Sequence, residues 1–445
     1  MPMNDANVPI VPPPTPLPVP LTGCAKKNQQ KREKDRAKRK KATVTALESP
    51  APPVPSTCAL QKAAQCAPVP TSFRAREFRA TKPRWVGPAK PVDHPLLPYA
   101  HDVEMLKQHM QYVDWPGDKS HVILDRNGYV IGSLIAPPIS GTEWATVADA
   151  ATAAIRDARD KMLFPSAAFQ HRRAMGEGFP TATAGFAFGG GRDAVGNIKA
   201  TSATNAAAMD GVLADKNVDR MATFAIPAFQ ALFYHIFRDY HETKNTLLHQ
   251  HPELRRTFRR SPFAALTVNL GPASVTQPHV DSGNKADGLC LITALGTFDP
   301  NKGGHIVLWD YNLIIRFPPG CACLIPSAVV THSNTPIQAG EERFSLIQYS
   351  AGGLFRWRAN GCQSDLDWLA TASQEDVVRR EEERKACCAA ALGKFSRWKD
   401  VKVGNYSGRA RLEVWETGEL ADFSDYTEEE SDREEERPKK RRKRS

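Results

Sequence analysis

The chain contains no Cys-x-x-Cys pair, and its nine cysteines are an odd number. That excludes the usual zinc spacings and a disulfide framework, so a reduced, intracellular compartment is expected. Cys321 and Cys323 share one face of a strand, and Cys387-Cys388 are neighbours in a helical stretch; neither is a zinc pattern. No run of eighteen or more apolar residues occurs, so neither a spanning helix nor a membrane partner is expected. The N-terminus is proline-rich rather than a basic patch followed by an apolar core, so no secretory signal is expected. A nucleotide cradle is also missing. Gly185 to Asp193 is glycine-rich but lacks the Gly-Lys-Ser/Thr of a phosphate loop and fits G-x-G-x-x-G poorly. It reads better as a turn where two backbones approach closely.

What is present is positive charge, unevenly spread. The formal charge is +10 and the pI about 9.1, which favours an anionic partner. Residues 1–95 read as a disordered tail. Val11 to Pro20 and Ala51 to Pro55 are proline runs that build no core, and Lys26 to Lys41 is dense in Lys and Arg. At the other end, residues 425–445 form a second tail, acidic from Asp425 to Glu436 and basic from Pro438 to Arg444. Basic runs of this kind suit the groove of a nuclear import receptor, so nuclear residence is expected; a merely solvated tail is the plainer reading.

Between the tails the pattern is globular. Val122 to Leu134 predicts a hairpin around Asn127-Gly128, and Thr146 to Leu163 predicts a helix ending before Pro165. Val212 to Asn245 predicts two helical stretches, the second with Phe229, Leu232, Phe233 and Ile236 on one face. Residues 96–262 are therefore a helical and hairpin part. From residue 263 to 362 the pattern changes to short strands: 263–269, 288–295, 305–309, 313–317, 321–325 and 343–349, punctuated by Gly303-Gly304 and Pro318-Pro319-Gly320. That predicts an α+β fold with a sandwich or jelly-roll core flanked by the preceding helices. Residues 363–424 form a charged helical extension, with Glu375 to Lys385 expected as a solvated helix.

The strand region carries a constellation of side chains. His279-Val280-Asp281 follows a strand that ends at Gly271-Pro272, and His332 follows the strand 321–325. Two imidazoles and one carboxylate on one face of an octahedral Fe(II) leave the other positions open for a cosubstrate and dioxygen. Arg343, on the strand after His332, can grip the far carboxylate of a 2-oxoglutarate in bidentate fashion. Ser345, two residues on, shares its face. Each residue has a plainer reading. A His-x-Asp tripeptide is common in loops, a lone His is more often a hydrogen-bonded core residue, and Arg343 could pair with Glu341 or Glu342 on the surface. Asn284 reads as a contact beside the pocket or as a turn cap, and Trp309 as a stacking surface or as core.

A set of collinear landmarks extends beyond these residues. They are Gly185-Phe-Ala-Phe-Gly-Gly-Gly191, Thr267-Val-Asn-Leu-Gly-Pro272, His279-Val-Asp281, Ile292-Thr-Ala-Leu-Gly296 and Gly303-Gly-His-Ile-Val-Leu-Trp-Asp310. Phe317-Pro-Pro-Gly320, Ile325-Pro-Ser-Ala328, His332-Ser-Asn334 and Gly352-Gly-Leu-Phe-Arg-Trp357 follow. On these the stretch from Leu124 to Arg358 resembles the fungal branch of the TET/JBP family of Fe(II)/2-oxoglutarate dioxygenases, a branch often associated with transposons. The resemblance implies a double-stranded β-helix, with His279, Asp281 and His332 as iron ligands and Arg343 with Ser345 as the 2-oxoglutarate clamp. It implies oxidation of 5-methylcytosine in DNA to 5-hydroxymethylcytosine and further, on a base flipped out of the duplex. The cysteine-rich zinc region and long insert of animal members are absent, which leaves the iron chemistry intact and removes a known targeting device. Two other readings stay open. An oxygenase of this kind could act on RNA or protein, because the triad does not choose the substrate. The domain could also be a non-catalytic nuclear module that binds nucleic acid through its tails.

Overall fold

Leu291, Leu295, Leu324, Phe344 and Leu346 belong to one buried cluster, whereas Ile292, Ala294, Cys323 and Ile325 belong to another. Sequence neighbours thus part to opposite sides, as the two-residue period of a strand requires. A computed structural model describes residues 53–79, 85–138 and 142–404, together with residues 30, 31 and 34. The basic run 26–41 falls almost wholly outside the described residues, and the tail 425–445 wholly so.

The strands are β1 (Ala67–Pro70), β2 (Gln111–Val113), β3 (His121–Leu124), β4 (Val130–Ile135), β5 (Thr181–Ala187) and β6 (Gly196–Asn197). Then come β7 (Ala265–Asn269), β8 (Cys290–Thr297), β9 (Ile306–Leu308), β10 (Leu313–Ile315), β11 (Ala322–Ile325), β12 (His332–Asn334) and β13 (Glu342–Tyr349). One sheet runs in the order β1-β3-β4-β11-β8-β13-β7-β5-β6 and a second in the order β12-β9-β10-β2. Ile123, Ile292 and Cys323 of the large sheet share a cluster with Ile306, Leu308 and Ile315 of the small one, so the inner faces of the two sheets form one core. The outer face of the large sheet lies in the other cluster with helical residues. The molecule is thus α+β: two sheets, with most helices on the large sheet and the short helix Val103–His109 against the outer face of the small one.

The helix Thr142–Lys161 places Trp144, Ala148, Ala151, Ile155 and Ala158 in that outer cluster, a helical stripe of steps of three and four. The hairpin at 122–134 is present as β3 and β4. Asp125 organises its turn, with its carboxylate accepting from the amides of Asn127 and Tyr129, and Gly128 takes a φ of 79°. Gly185 shows the close approach expected of its segment: a Cβ there would overlap the carbonyl oxygen of Ala264.

Three expectations need correction. Val212 to Asn245 is not two helices but the end of Ala203–Ala214 followed by Lys216–Thr223, Ile226–Leu232 and Tyr234–Gln250. Asp215 ends the first helix and caps the second, accepting from the amides of Asn217 and Val218; Pro227 opens the third, and Phe233 at φ −136° breaks it from the fourth. Secondly, order begins before residue 96. Ser56 caps the helix Thr57–Ala64, whose Leu60 and Ala63 join the outer cluster, and Gln230 Nε2 donates to the Pro53 carbonyl at 2.6 Å. Proline content alone does not prevent order when apolar neighbours find a distant helix to cover. Thirdly, His332–Asn334 is itself a strand, β12, although its three residues are polar. The charged helix Gln374–Gly393 is capped by Ser373 and Asp376, and its described first half is largely exposed, as expected. Among the described residues, no helix is long and apolar enough to cross a membrane.

Gly296 in β8 lies opposite Arg343 in β13, at φ 115°, and a Cβ there would overlap the Glu342 carbonyl oxygen. Gly296→Ala is therefore expected to destabilise the protein by about 2–4 kcal/mol, from backbone strain and displacement of β13. Urea unfolding checks it; an unchanged midpoint would show that the two strands separate at no cost.

Candidate metal centre

His279 lies on the segment that leads from β7 to β8 and His332 opens β12, and the backbones of the two pair directly. The His279 amide donates to the His332 carbonyl at 3.1 Å, and the His332 amide returns the bond at 2.9 Å. Asp281 is fixed by its own amide, which donates to the Ser327 carbonyl at 2.9 Å. One donor atom from each of His279, Asp281 and His332 lies within 4.8 Å of the others. The ring centroids are 4.3 Å apart, and the carboxylate faces the Nε2 atoms of both. Its Oδ1 lies 3.8 Å from His279 Nε2 and its Oδ2 lies 3.7 Å from His332 Nε2.

Hydrogen bonds set the tautomer of both imidazoles. His279 Nδ1 meets the Gln277 carbonyl at 2.7 Å, and His332 Nδ1 meets the Val330 carbonyl at 3.0 Å. A carbonyl only accepts, so each Nδ1 carries a proton and each Nε2 is the ring nitrogen turned to the shared space. Burial, with His332 close by, holds the His279 imidazole below its ordinary value. Burial works to raise the Asp281 carboxyl, but Arg173 and the two imidazoles outweigh it and hold it below its ordinary value. Two imidazoles and a buried carboxylate, gathered within 4.8 Å of one another, form a donor set suited to Fe(II).

Arg343 and Ser345 line the same cavity as the three donors, a space of about 430 Å³. Arg343 does not pair with its acidic neighbours. Glu342 binds Arg156 and Arg159, while Glu341 accepts from the amides of Asp299 and Gln338. Arg343 is itself only 3% exposed; its Nη1 donates to the Ser274 carbonyl at 2.9 Å, and its Nε is buried without a partner. Burial lowers its guanidinium to about 10, still charged near pH 7. Among the described residues no carboxylate pairs with it, so a buried cation faces a cavity and lacks its anion. Ser345 Oγ accepts from Asn269 Nδ2 at 3.0 Å. These features fit a dicarboxylate cosubstrate gripped at one end by Arg343 and Ser345.

Asn284 lines the cavity too, with its amide donating to the Asp281 carbonyl and its Nδ2 against Ser327 Oγ and Cys290 Sγ. Trp309 is core, 1% exposed, with Nε1 donating to Ser333 Oγ. The sequence reading missed Arg173, whose Nη2 lies 2.8 Å from Asp281 Oδ1. It sits on a loop more than a hundred residues earlier, and nothing in its local sequence marks it.

No protein-family model matches this chain, and no curated protein matches it. Several solved structures are similar at low identity. NgTET1 in complex with 5mC DNA matches at 12% identity and a TM-score of 0.31, covering 59% of this chain and 92% of that one. The viral collagen prolyl hydroxylase vCPH from Paramecium Bursaria Chlorella virus-1, in its 2OG complex, matches at 13% identity and a TM-score of 0.17, covering 26% of this chain and 73% of that one. JOX2 in complex with 2OG, Fe and JA matches at 14% identity and a TM-score of 0.25, covering 68% of this chain and 84% of that one.

Proposed function

We propose that the chain is an Fe(II)/2-oxoglutarate-dependent dioxygenase on a double-stranded β-helix, of the TET/JBP kind. In this reading it oxidises 5-methylcytosine in DNA to 5-hydroxymethylcytosine and further. The observation that carries the oxygenase reading is the buried, anionless Arg343 in one cavity with His279, Asp281 and His332. Iron and 2-oxoglutarate bound there would supply dioxygen activation and removal of a hydrogen atom from the methyl group. The chain's own residues do the positioning. His279 and His332 present fixed Nε2 lone pairs, Asp281 supplies charge, and Arg343 with Ser345 orients the cosubstrate by its far carboxylate. Tyr349 lines the cavity and offers a ring on which a flipped base can stack.

The DNA reading rests on the collinear landmarks of the TET/JBP resemblance and on the net charge of +10. The basic runs 26–41 and 438–444 support nuclear residence through an import receptor. The test is purified protein with Fe(II), ascorbate and 2-oxoglutarate on duplex DNA carrying 5-methylcytosine, read by mass spectrometry of nucleosides beside succinate release. Oxidised cytosine that vanishes in His279→Ala is the expected result. Succinate without oxidised base would move the substrate to RNA or protein. Neither product, with iron bound, would leave a nucleic-acid-binding module.

A further inference from the structure

We propose that Arg173 is a positioning residue that makes Asp281 a one-oxygen ligand. The inference rests on the metal reading of the site. The Asp281 carboxylate faces the two imidazoles almost symmetrically, with Oδ1 3.8 Å from His279 Nε2 and Oδ2 3.7 Å from His332 Nε2. By that geometry alone either oxygen, or both, could take an ion placed between the rings. Arg173 breaks the symmetry. Its Nη2 lies 2.8 Å from Oδ1, and no comparable cation touches Oδ2 among the described residues. A cation held on Oδ1 competes with a second cation for that oxygen, so Oδ2 is left to the metal.

The arginine is held where this work requires it. Its loop closes on itself through the Phe179 amide on the Phe169 carbonyl and Gln170 Nε2 on the Glu177 carbonyl. It is tied to the segment just before the ligands by the Met175 amide on the Val275 carbonyl and the Gln277 amide on the Arg173 carbonyl at 3.0 Å. Gln277 is also the residue whose carbonyl fixes His279 Nδ1. The Arg173 loop is therefore bonded to the residue that sets the tautomer of the first ligand, and its own side chain sets the binding mode of the second. The functional need is a count of open positions. Two imidazoles and one carboxylate oxygen leave three octahedral positions, two for 2-oxoglutarate and one for dioxygen; a chelating carboxylate removes one of them.

The test uses the full-length protein loaded anaerobically with Co(II), whose visible absorption reports coordination number and geometry. Spectra of Arg173→Met and Arg173→Lys are taken before any cosubstrate is added, so direct contact between Arg173 and 2-oxoglutarate cannot produce the change. Arg173→Met is expected to alter the Co(II) spectrum and then to weaken 2-oxoglutarate binding by about tenfold or more. Arg173→Lys, which keeps a cation on Oδ1, is expected to restore the parent spectrum. A parent-like spectrum in Arg173→Met, with circular dichroism showing the same fold, overturns the role given to Arg173 and leaves the metal site standing. Failure of the parent protein to bind Co(II) or Fe(II) overturns the metal reading and this inference with it.

Discussion

Replacing Arg343 by methionine removes the response to 2-oxoglutarate and leaves the fold intact. Two charge-assisted hydrogen bonds to a carboxylate are worth about 1.5–3 kcal/mol each. Their loss weakens binding by roughly 10²–10⁴-fold at about 1.4 kcal/mol per decade. Losing so large a side chain from a core is ordinarily destabilising. Here the side chain is a buried cation with no carboxylate opposite it and a buried Nε with no acceptor. Removing a charge that burial disfavours offsets the loss of its one hydrogen bond to the Ser274 carbonyl, and methionine refills most of the volume. The variant's melting temperature without ligand is expected within a few degrees of the parent's, or above it. Saturating 2-oxoglutarate, at about a hundred times the parent's dissociation constant, should stabilise the metal-loaded parent by about 2.7 kcal/mol and the variant by less than about 0.5 kcal/mol. A variant that 2-oxoglutarate still stabilises as strongly would remove Arg343 from the cosubstrate site.

The second large effect concerns the C-terminal extension, whose purpose the sequence does not disclose. Lys394 follows the charged helix Gln374–Gly393, and its Nζ lies 2.8 Å from Asp239 Oδ2 and 2.8 Å from Asp287 Oδ2. Asp287 also holds Lys285 at 2.8 Å, and that ammonium lies over the rings of Trp85 and Phe355. Burial works to raise the Asp287 carboxyl, but Lys285 and Lys394 hold it far below the ordinary carboxylate range. Breaking a buried ion pair from one side costs about 3–5 kcal/mol. Lys394 is 29% exposed, so Lys394→Met is expected at about 2–3 kcal/mol after allowance for solvent screening. The pH dependence follows from the depressed carboxyl. Its stabilisation is complete above the unfolded value near 3.9 and fades as pH falls toward the lower folded value. The gap between parent and variant, read by urea unfolding at pH 7 and pH 3, should therefore shrink at the acid end. A gap that stays constant or widens would show that Lys394 acts through packing alone. Either way, the extension is fastened to the loop that leaves Asp281 and is part of the folded unit.

Much of the site's convergence was legible because it depends on short-range rules. Arg343 and Ser345 share a face by strand alternation, and His279 and Asp281 stand beyond a strand ended by Gly271-Pro272, whose Gly271 takes a φ of 64°. The core strands were legible for the same reason: Leu291, Ile292, Leu324 and Ile325 alternate between two clusters, and both clusters are apolar. What was not legible depends on contacts between distant segments. Arg173 reaches Asp281 through a loop with no periodicity. Strand β12 is three polar residues whose strand character comes from pairing with β9, not from propensity. The helix breaks at Asp215 and Phe233 interrupt an apolar pattern that runs on across them. The network of Lys285, Asp287, Lys394 and Asp239 reads in sequence as ordinary surface charge, because its burial is created by tertiary packing.

The reciprocal amide bonds between His279 and His332 have a practical consequence. The two imidazoles are joined through the backbone, so the fold itself, and not an ion, brings these remote segments together. Small zinc domains behave oppositely, since the ion assembles them and a chelator unfolds them. This protein should withstand being emptied and refilled. Dialysis against a chelator followed by return of Fe(II) is expected to recover the starting material without a refolding step. Different divalent ions could then be exchanged in turn through one purified batch.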